Sequence, residues 1–121
     1  MLAFRSAIEH RDPEAIATAL APDVVFSSPA VFAPYRGRDA VMTVLRAVLD
    51  VFEDLQYTDE LTGDGTHGLV FRARVGTREI EGWDYLTTDD AGLVSRLVVM
   101  IRPLSGLNAV VEAMARRLAS G

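Results

Sequence analysis

Asp84 is out of pattern with its neighbours. In VGTREIEGWDYL (75–86), alternation along a strand places Ile80, Gly82, Asp84 and Leu86 on one face, and Glu79, Glu81, Trp83 and Tyr85 on the other. The carboxylate therefore shares the face of Ile and Leu, while two aromatics sit where polar residues belong. Burial penalises the charged form of a carboxylate and raises its pKa, so such a group can take and return protons near neutrality. His67 falls on the same face, diagonal to Asp84, with the two backbones roughly 6–8 Å apart. An Asp–His pair of this kind can shuttle a proton on a carbonyl compound without a metal or a cofactor. We therefore take Asp84 and His67 as the candidate catalytic residues, with Ser28, Tyr35 and Tyr57 as other polar groups that could reach the same point.

Plainer readings stand beside these. Asp84 could be a buried acid satisfied by Tyr35, Tyr57, Ser28 or backbone groups. His67 adjoins a GDGT turn and could face solvent. Tyr35 could simply pack or lid a pocket. Two histidines and one pocket aspartate are too few, and wrongly spaced, for zinc, so no metal is expected. The GTHG segment precedes a strand rather than a helix, which excludes a nucleotide loop.

The bulk composition narrows the function further. A chain of 121 residues, half of them apolar, is expected to form one domain over 1–121 with a single core. There is no cysteine, hence no disulfide frame and no thiolate metal site. The net charge is −5 and all twelve basic residues are arginine, so nucleic acid is not an expected partner. The missing lysine also excludes Schiff-base and P-loop chemistry. MLAFRSAIEHRD is too charged for a signal peptide and no apolar run has the length of a membrane span, so a cytoplasmic protein without membrane contact is expected.

The elements that must position these residues read as helices followed by strands. Residues 2–10 form a short helix with Phe4, Ala7 and Ile8 inward. Asp12 caps a second helix, with Pro13 at its first position, carrying Ile16 and Leu20 and ended by Ala21-Pro22-Asp23. Val24–Phe26 is a short strand and 27–39 an ordered loop. Asp39 caps a helix whose apolar stripe is Val41, Val44, Leu45, Val48, Leu49 and Phe52. From there the period changes to two, with strands over 55–62, 67–75, 78–88 and 93–102. A last helix begins near Ser105 and carries Leu107, Val110, Val111, Met114 and Leu118 on one side. The fold class is α+β, helices packed on a curved antiparallel sheet.

The Gly76-Thr77 turn sets a register. Val75 opposes Arg78, Arg74 opposes Glu79, Phe71 opposes Gly82, Leu69 opposes Asp84 and His67 opposes Leu86. Two opposite-charge pairs follow, Arg74 with Glu79 and Arg72 with Glu81, as expected of an exposed face. Pairing Thr88 with Leu93 would set Leu97 against Asp84, Val99 against Gly82 and Ile101 against Ile80. The outer face then carries Val70, Trp83, Tyr85, Val98 and Met100, rimmed by arginine and glutamate. A contiguous apolar patch with a charged rim predicts a homodimer through that face.

The order of elements, together with DPEAIATALAPDVVFSSPAVF…YRGRDAV and GWDYLTTDDAGLVSRLVVMIRPL, resembles the NTF2-like superfamily, specifically its SnoaL-like (polyketide cyclase-like) branch, over essentially the whole chain. The resemblance implies a cone: a curved sheet wrapped by helices around an apolar pocket, often dimeric through the sheet. Phe4, Phe26, Ser28, Phe32, Tyr35 and Leu45 would line that pocket with Leu49, Phe71, Gly82, Leu97 and Val99. Asp84 falls where ketosteroid isomerases of this superfamily carry a protonated oxyanion-hole aspartate, and near the acid–base aspartate of the cyclases. The isomerase pattern departs at two positions, Ser28 for its base and Phe4 for its tyrosine, so steroid isomerisation is not expected. Epoxide hydrolases need an Asp–Arg–Asp relay, and Arg96 and Arg102 alternate outward here. The cyclase pattern, one aspartate with a nearby histidine, matches Asp84 and His67. The resemblance thus implies an apolar small-molecule ligand and either a cofactor-free cyclase or isomerase or a non-catalytic binding or structural dimer.

Overall fold

The computed structural model describes residues 2–120. Four helices and six strands follow one another as α1 (Ala3–Glu9), α2 (Pro13–Ala19), β1 (Leu20–Ser27), β2 (Tyr35–Arg36), α3 (Arg38–Val51), β3 (Glu53–Thr62), β4 (Thr66–Val75), β5 (Arg78–Thr88), β6 (Val94–Arg102) and α4 (Leu104–Ala119). The strands form one sheet in the order β2-β1-β6-β5-β4-β3, antiparallel except where β1 runs parallel to β6. Buried apolar side chains of the helices and of the inner sheet face make the core, with Ile16, Leu20, Leu69, Leu86 and Leu97 fully enclosed.

The front of the chain differs from the sequence reading at three places. Asp12 does cap α2, its Oδ1 accepting from the Ala15 amide at 3.2 Å. Leu20 and Ala21-Pro22-Asp23, however, belong to β1. Pro22 lacks an amide donor, and it sits where the β1–β6 pairing is interrupted between Leu20 and Val25, so no ladder bond is lost to it. The 27–39 segment holds β2, which folds back on β1 and stacks Tyr35 against Phe26 with ring centroids 6.0 Å apart. The N-cap of α3 is Gly37, not Asp39: the chain leaves β2 at a φ of 88°, which glycine adopts without strain. Asp39 lies in the first turn instead.

Between β4 and β5 the register is the one expected, from Val75 opposite Arg78 to His67 opposite Leu86. Arg72 pairs with Glu81 at 3.5 Å, but Arg74 turns away from Glu79 to Asp54 (3.0 Å) and Glu53 (3.6 Å) of β3. Between β5 and β6 the expected register is wrong by two residues. Asp84 opposes Val99 and Leu86 opposes Leu97, with an irregularity at Thr87/Thr88 taking up the difference. The longer loop is held by Asp89, whose Oδ1 accepts from the amides of Ala91 and Leu93 at 3.0 and 2.9 Å. Because side chains alternate with period two, a two-residue slip leaves each on its own face. Leu97, Val99 and Ile101 therefore still share the inner face with Asp84.

Candidate active site

A cavity of about 250 Å³ opens between the inner sheet face, α1, α3 and α4. Phe71, Asp84, Leu97 and Val99 form its sheet wall, with Tyr57 on β3 and Phe26 on β1. Phe4 and Ile8 of α1, Val44, Leu45 and Val48 of α3, and Val110, Val111 and Met114 of α4 close the sides. Pro29, Ala30 and Val31 of the loop after β1, with Ala115 and Leu118 of α4, complete the lining.

Asp84 is the one carboxylate in this lining among the described residues, and it is 6% exposed. Burial pushes its pKa up from 3.8 to about 7, opposed by a hydrogen bond that the Tyr57 hydroxyl donates to Oδ2 at 3.4 Å. The phenol of Tyr57 is in turn raised well above its ordinary value, first by burial and then by the neighbouring Asp84. A carboxyl group that is half ionised near neutrality beside a phenolic donor, in a hydrocarbon cavity, can exchange a proton with one ligand atom while the phenol holds another.

Tyr57 reaches this point through a bulge. From Thr62 opposite His67 to Asp59 opposite Val70 the β3–β4 pairing is regular, and continued unchanged it would set Tyr57 against Arg72 on the outer face. The register shifts between Tyr57 and Asp59, so Tyr57 opposes Phe71 and turns inward. Alternation in the sequence carries no sign of that extra residue, which is why the facing of Tyr57 is not legible there.

Of the residues expected to line the pocket, Phe4, Phe26, Ser28, Tyr35, Leu45, Phe71, Leu97 and Val99 do so. Three do not. Phe32 is fully exposed, because its loop presents Pro29, Ala30 and Val31 to the cavity instead. Leu49 is buried on the flank of α3 away from the cavity, beside a polar cleft that holds Arg11 and Asp50. Gly82 lies beneath the Phe71 ring, which covers it. His67 is also absent from the lining: its Nε2 lies 3.4 Å from the Thr88 hydroxyl and its buried Nδ1 has no hydrogen-bond partner. The second polar group beside Asp84 is thus Tyr57 rather than His67. Ser28 Oγ is occupied in its own turn, accepting from the amides of Ala30 and Val31 at 3.3 and 3.2 Å. Among the described residues no three His, Asp or Glu side chains come together to hold a metal ion.

On the outer face Trp83 spreads over Gly68, with Tyr85 39% and Met100 58% exposed, and Arg102 pairs with Glu81 at 3.1 Å. Val98 is part-buried beside them. Among the described residues no helix is long and apolar enough to cross a membrane.

A family model described as the SnoaL-like domain matches residues 1–78. A crystal structure named a steroid delta-isomerase, from Pseudomonas aeruginosa, is 44% identical with a TM-score of 0.92, over 97% of this chain and 87% of that one. An uncharacterised protein with a cystatin-like fold from Silicibacter pomeroyi DSS-3 is 30% identical with a TM-score of 0.90, over 95% and 82%. An NTF2-like protein of unknown function from Cytophaga hutchinsonii ATCC 33406, 15% identical with a TM-score of 0.67 over 84% and 86%, shares the fold alone. No curated protein matches the chain.

Proposed function

Because the chain belongs to the SnoaL-like domain family and has its NTF2-like fold, we propose that it takes up a small apolar carbonyl compound and acts on it as a cofactor-independent isomerase or cyclase, with Asp84 as the acid–base group. The observation that carries this reading is the Tyr57–Asp84 pair in the wall of an otherwise hydrocarbon cavity. The name isomerase on a relative 44% identical supports the reaction type. It does not extend to that protein's substrate, since Ser28 and Phe4 stand where an aspartate base and a tyrosine would be expected from ketosteroid isomerases.

In this reading the Asp84 carboxylate takes a proton from the carbon beside the carbonyl. The electron pair of that C–H bond moves into the adjoining C–C bond, and the negative charge reaches the carbonyl oxygen, held by the Tyr57 hydroxyl. At 3.4 Å the present bond to Asp84 is long, so the hydroxyl loses little in turning to a ligand oxygen. Asp84, now protonated, returns the proton to another carbon of the conjugated system. Atoms and electrons balance without an added reactant.

Deuterium exchange and double-bond migration in a β,γ-unsaturated cyclohexenone test this. Exchange beside the carbonyl that Asp84→Asn abolishes while binding is kept is the expected result. Binding without exchange would overturn it in favour of a non-catalytic ligand carrier, a reading favoured by Asp84 already having a protein partner in the Tyr57 hydroxyl. We further propose a homodimer through Trp83, Tyr85, Val98 and Met100, and no nucleic acid or membrane partner.

A further inference from the structure

The hydroxyl of Tyr57 can serve Asp84 only if its ring is held, and the ring is held by more than packing. Phe71 meets it edge-on, centroids 6.4 Å apart and planes at 79°. The guanidinium of Arg5 lies over the ring, 5.5 Å from its centroid, inside the range in which a cation is attracted to an aromatic face. Arg5 stands on α1 next to Phe4, which lines the cavity. Its position is fixed from two sides: Nη1 donates to Glu60 Oε1 at 2.9 Å and Nε to Glu9 Oε2 at 3.4 Å. Glu60 lies on β3 with Tyr57, beyond the bulge. Helix α1 is thus tied to the strand at the point where β3 departs from regular register.

We infer that Arg5 is a positioning residue of the site: anchored by Glu60 and Glu9, it clamps the Tyr57 ring so that the hydroxyl points at Asp84, and it places a positive charge behind the phenol that holds the substrate oxygen. The inference rests on the reading of Tyr57 and Asp84 as the working pair. A cation on the ring face stabilises negative charge developing at the phenolic oxygen, which makes the hydroxyl a stronger donor. The charged groups acting on Tyr57 are Asp84 from β5 and Glu9 from α1, which oppose its ionisation, and Arg5, which favours it. Without Arg5 the phenol would face carboxylates alone.

The test needs no substrate. Titration of the Asp84 carboxyl carbon by NMR, assigned with Asp84→Asn, is compared in wild type, Tyr57→Phe, Arg5→Met, the double variant and Arg5→Lys. Tyr57→Phe removes a bond to the ionised form and raises the Asp84 pKa. Arg5→Met is expected to raise it in the same direction by roughly half a unit to one unit, to add nothing in the Tyr57→Phe background, and to be reversed in Arg5→Lys. An unmoved titration in Arg5→Met, or an equal shift with and without the Tyr57 hydroxyl, overturns the role of Arg5. Should Arg5→Met not fold, Glu60→Ala removes the acceptor that anchors the guanidinium from β3, and the same directions are expected; no shift there overturns the proposal equally. A Tyr57→Phe protein whose Asp84 titrates as in wild type overturns the pair itself, so the two failures are distinguishable.

Discussion

The tip of the Phe71 ring lies over Gly82, its partner across the β4–β5 ladder, so closely that a methyl group at Gly82 would collide with Phe71 Cζ and Cε2. Phe71 in turn forms part of the cavity wall and meets Tyr57 edge-on. Gly82→Ala therefore forces the ring outward from the sheet and into the cavity. The expected cost is about 1–3 kcal/mol, that of overpacking a filled site. Denaturant midpoints at constant m-value measure it, and uptake of the cyclohexenone should fall with stability corrected for.

Asp84 makes stability depend on pH with a definite sign. Its folded pKa, about 7, lies above the ordinary 3.8, so the folded state binds the proton more tightly than the unfolded chain. Its stabilising share is fully present below about pH 4 and lost as pH rises through about 7, amounting to about 4 kcal/mol across the window. Asp84→Asn should accordingly gain stability over wild type at pH 8 and lose that gain towards pH 4. Chemical unfolding of both proteins at several pH values would reveal the opposite trend if Asp84 were paired with a cation.

Val99 stands directly opposite Asp84 on β6 and faces the cavity. Val99→Phe fills space that is empty rather than packed, so its effect on folding should be small while affinity for the cyclohexenone falls roughly tenfold or more, an effect of at least about 1.4 kcal/mol. Calorimetric titration reads the affinity. Unchanged binding would place the ligand elsewhere.

Met100 is 58% exposed at the centre of the apolar outer face, near Trp83, which it opposes across the β5–β6 ladder. A carboxylate there would be buried unpaired in a dimer but solvated in a monomer. Met100→Asp is expected to give a monomer with unchanged circular dichroism, as read by sedimentation equilibrium against a dimeric wild type. A wild type that sediments as a monomer would remove the proposed interface.

Sequence alone determined the α+β class, the four long strands to within two residues at each end, the β4–β5 register and the inward facing of Asp84. These follow from local rules: alternation has period two, Gly76-Thr77 leaves one hairpin geometry, and apolar stripes need a core. Even the two-residue error between β5 and β6 did no harm to the face assignments, because the period forgives even shifts. Tertiary structure decided everything that depends on odd shifts and on distant contacts. One extra residue between Tyr57 and Asp59 turns Tyr57 from the solvent face into the cavity, and no periodicity announces a bulge. The placing of β1 parallel to β6, and with it Phe26 and Tyr35 in the wall, comes from packing between segments some seventy residues apart. His67 and Tyr57 differ for the same reason. Strand alternation assigns a face, but only the three-dimensional course of the neighbouring strand says which polar group on that face arrives beside the carboxylate.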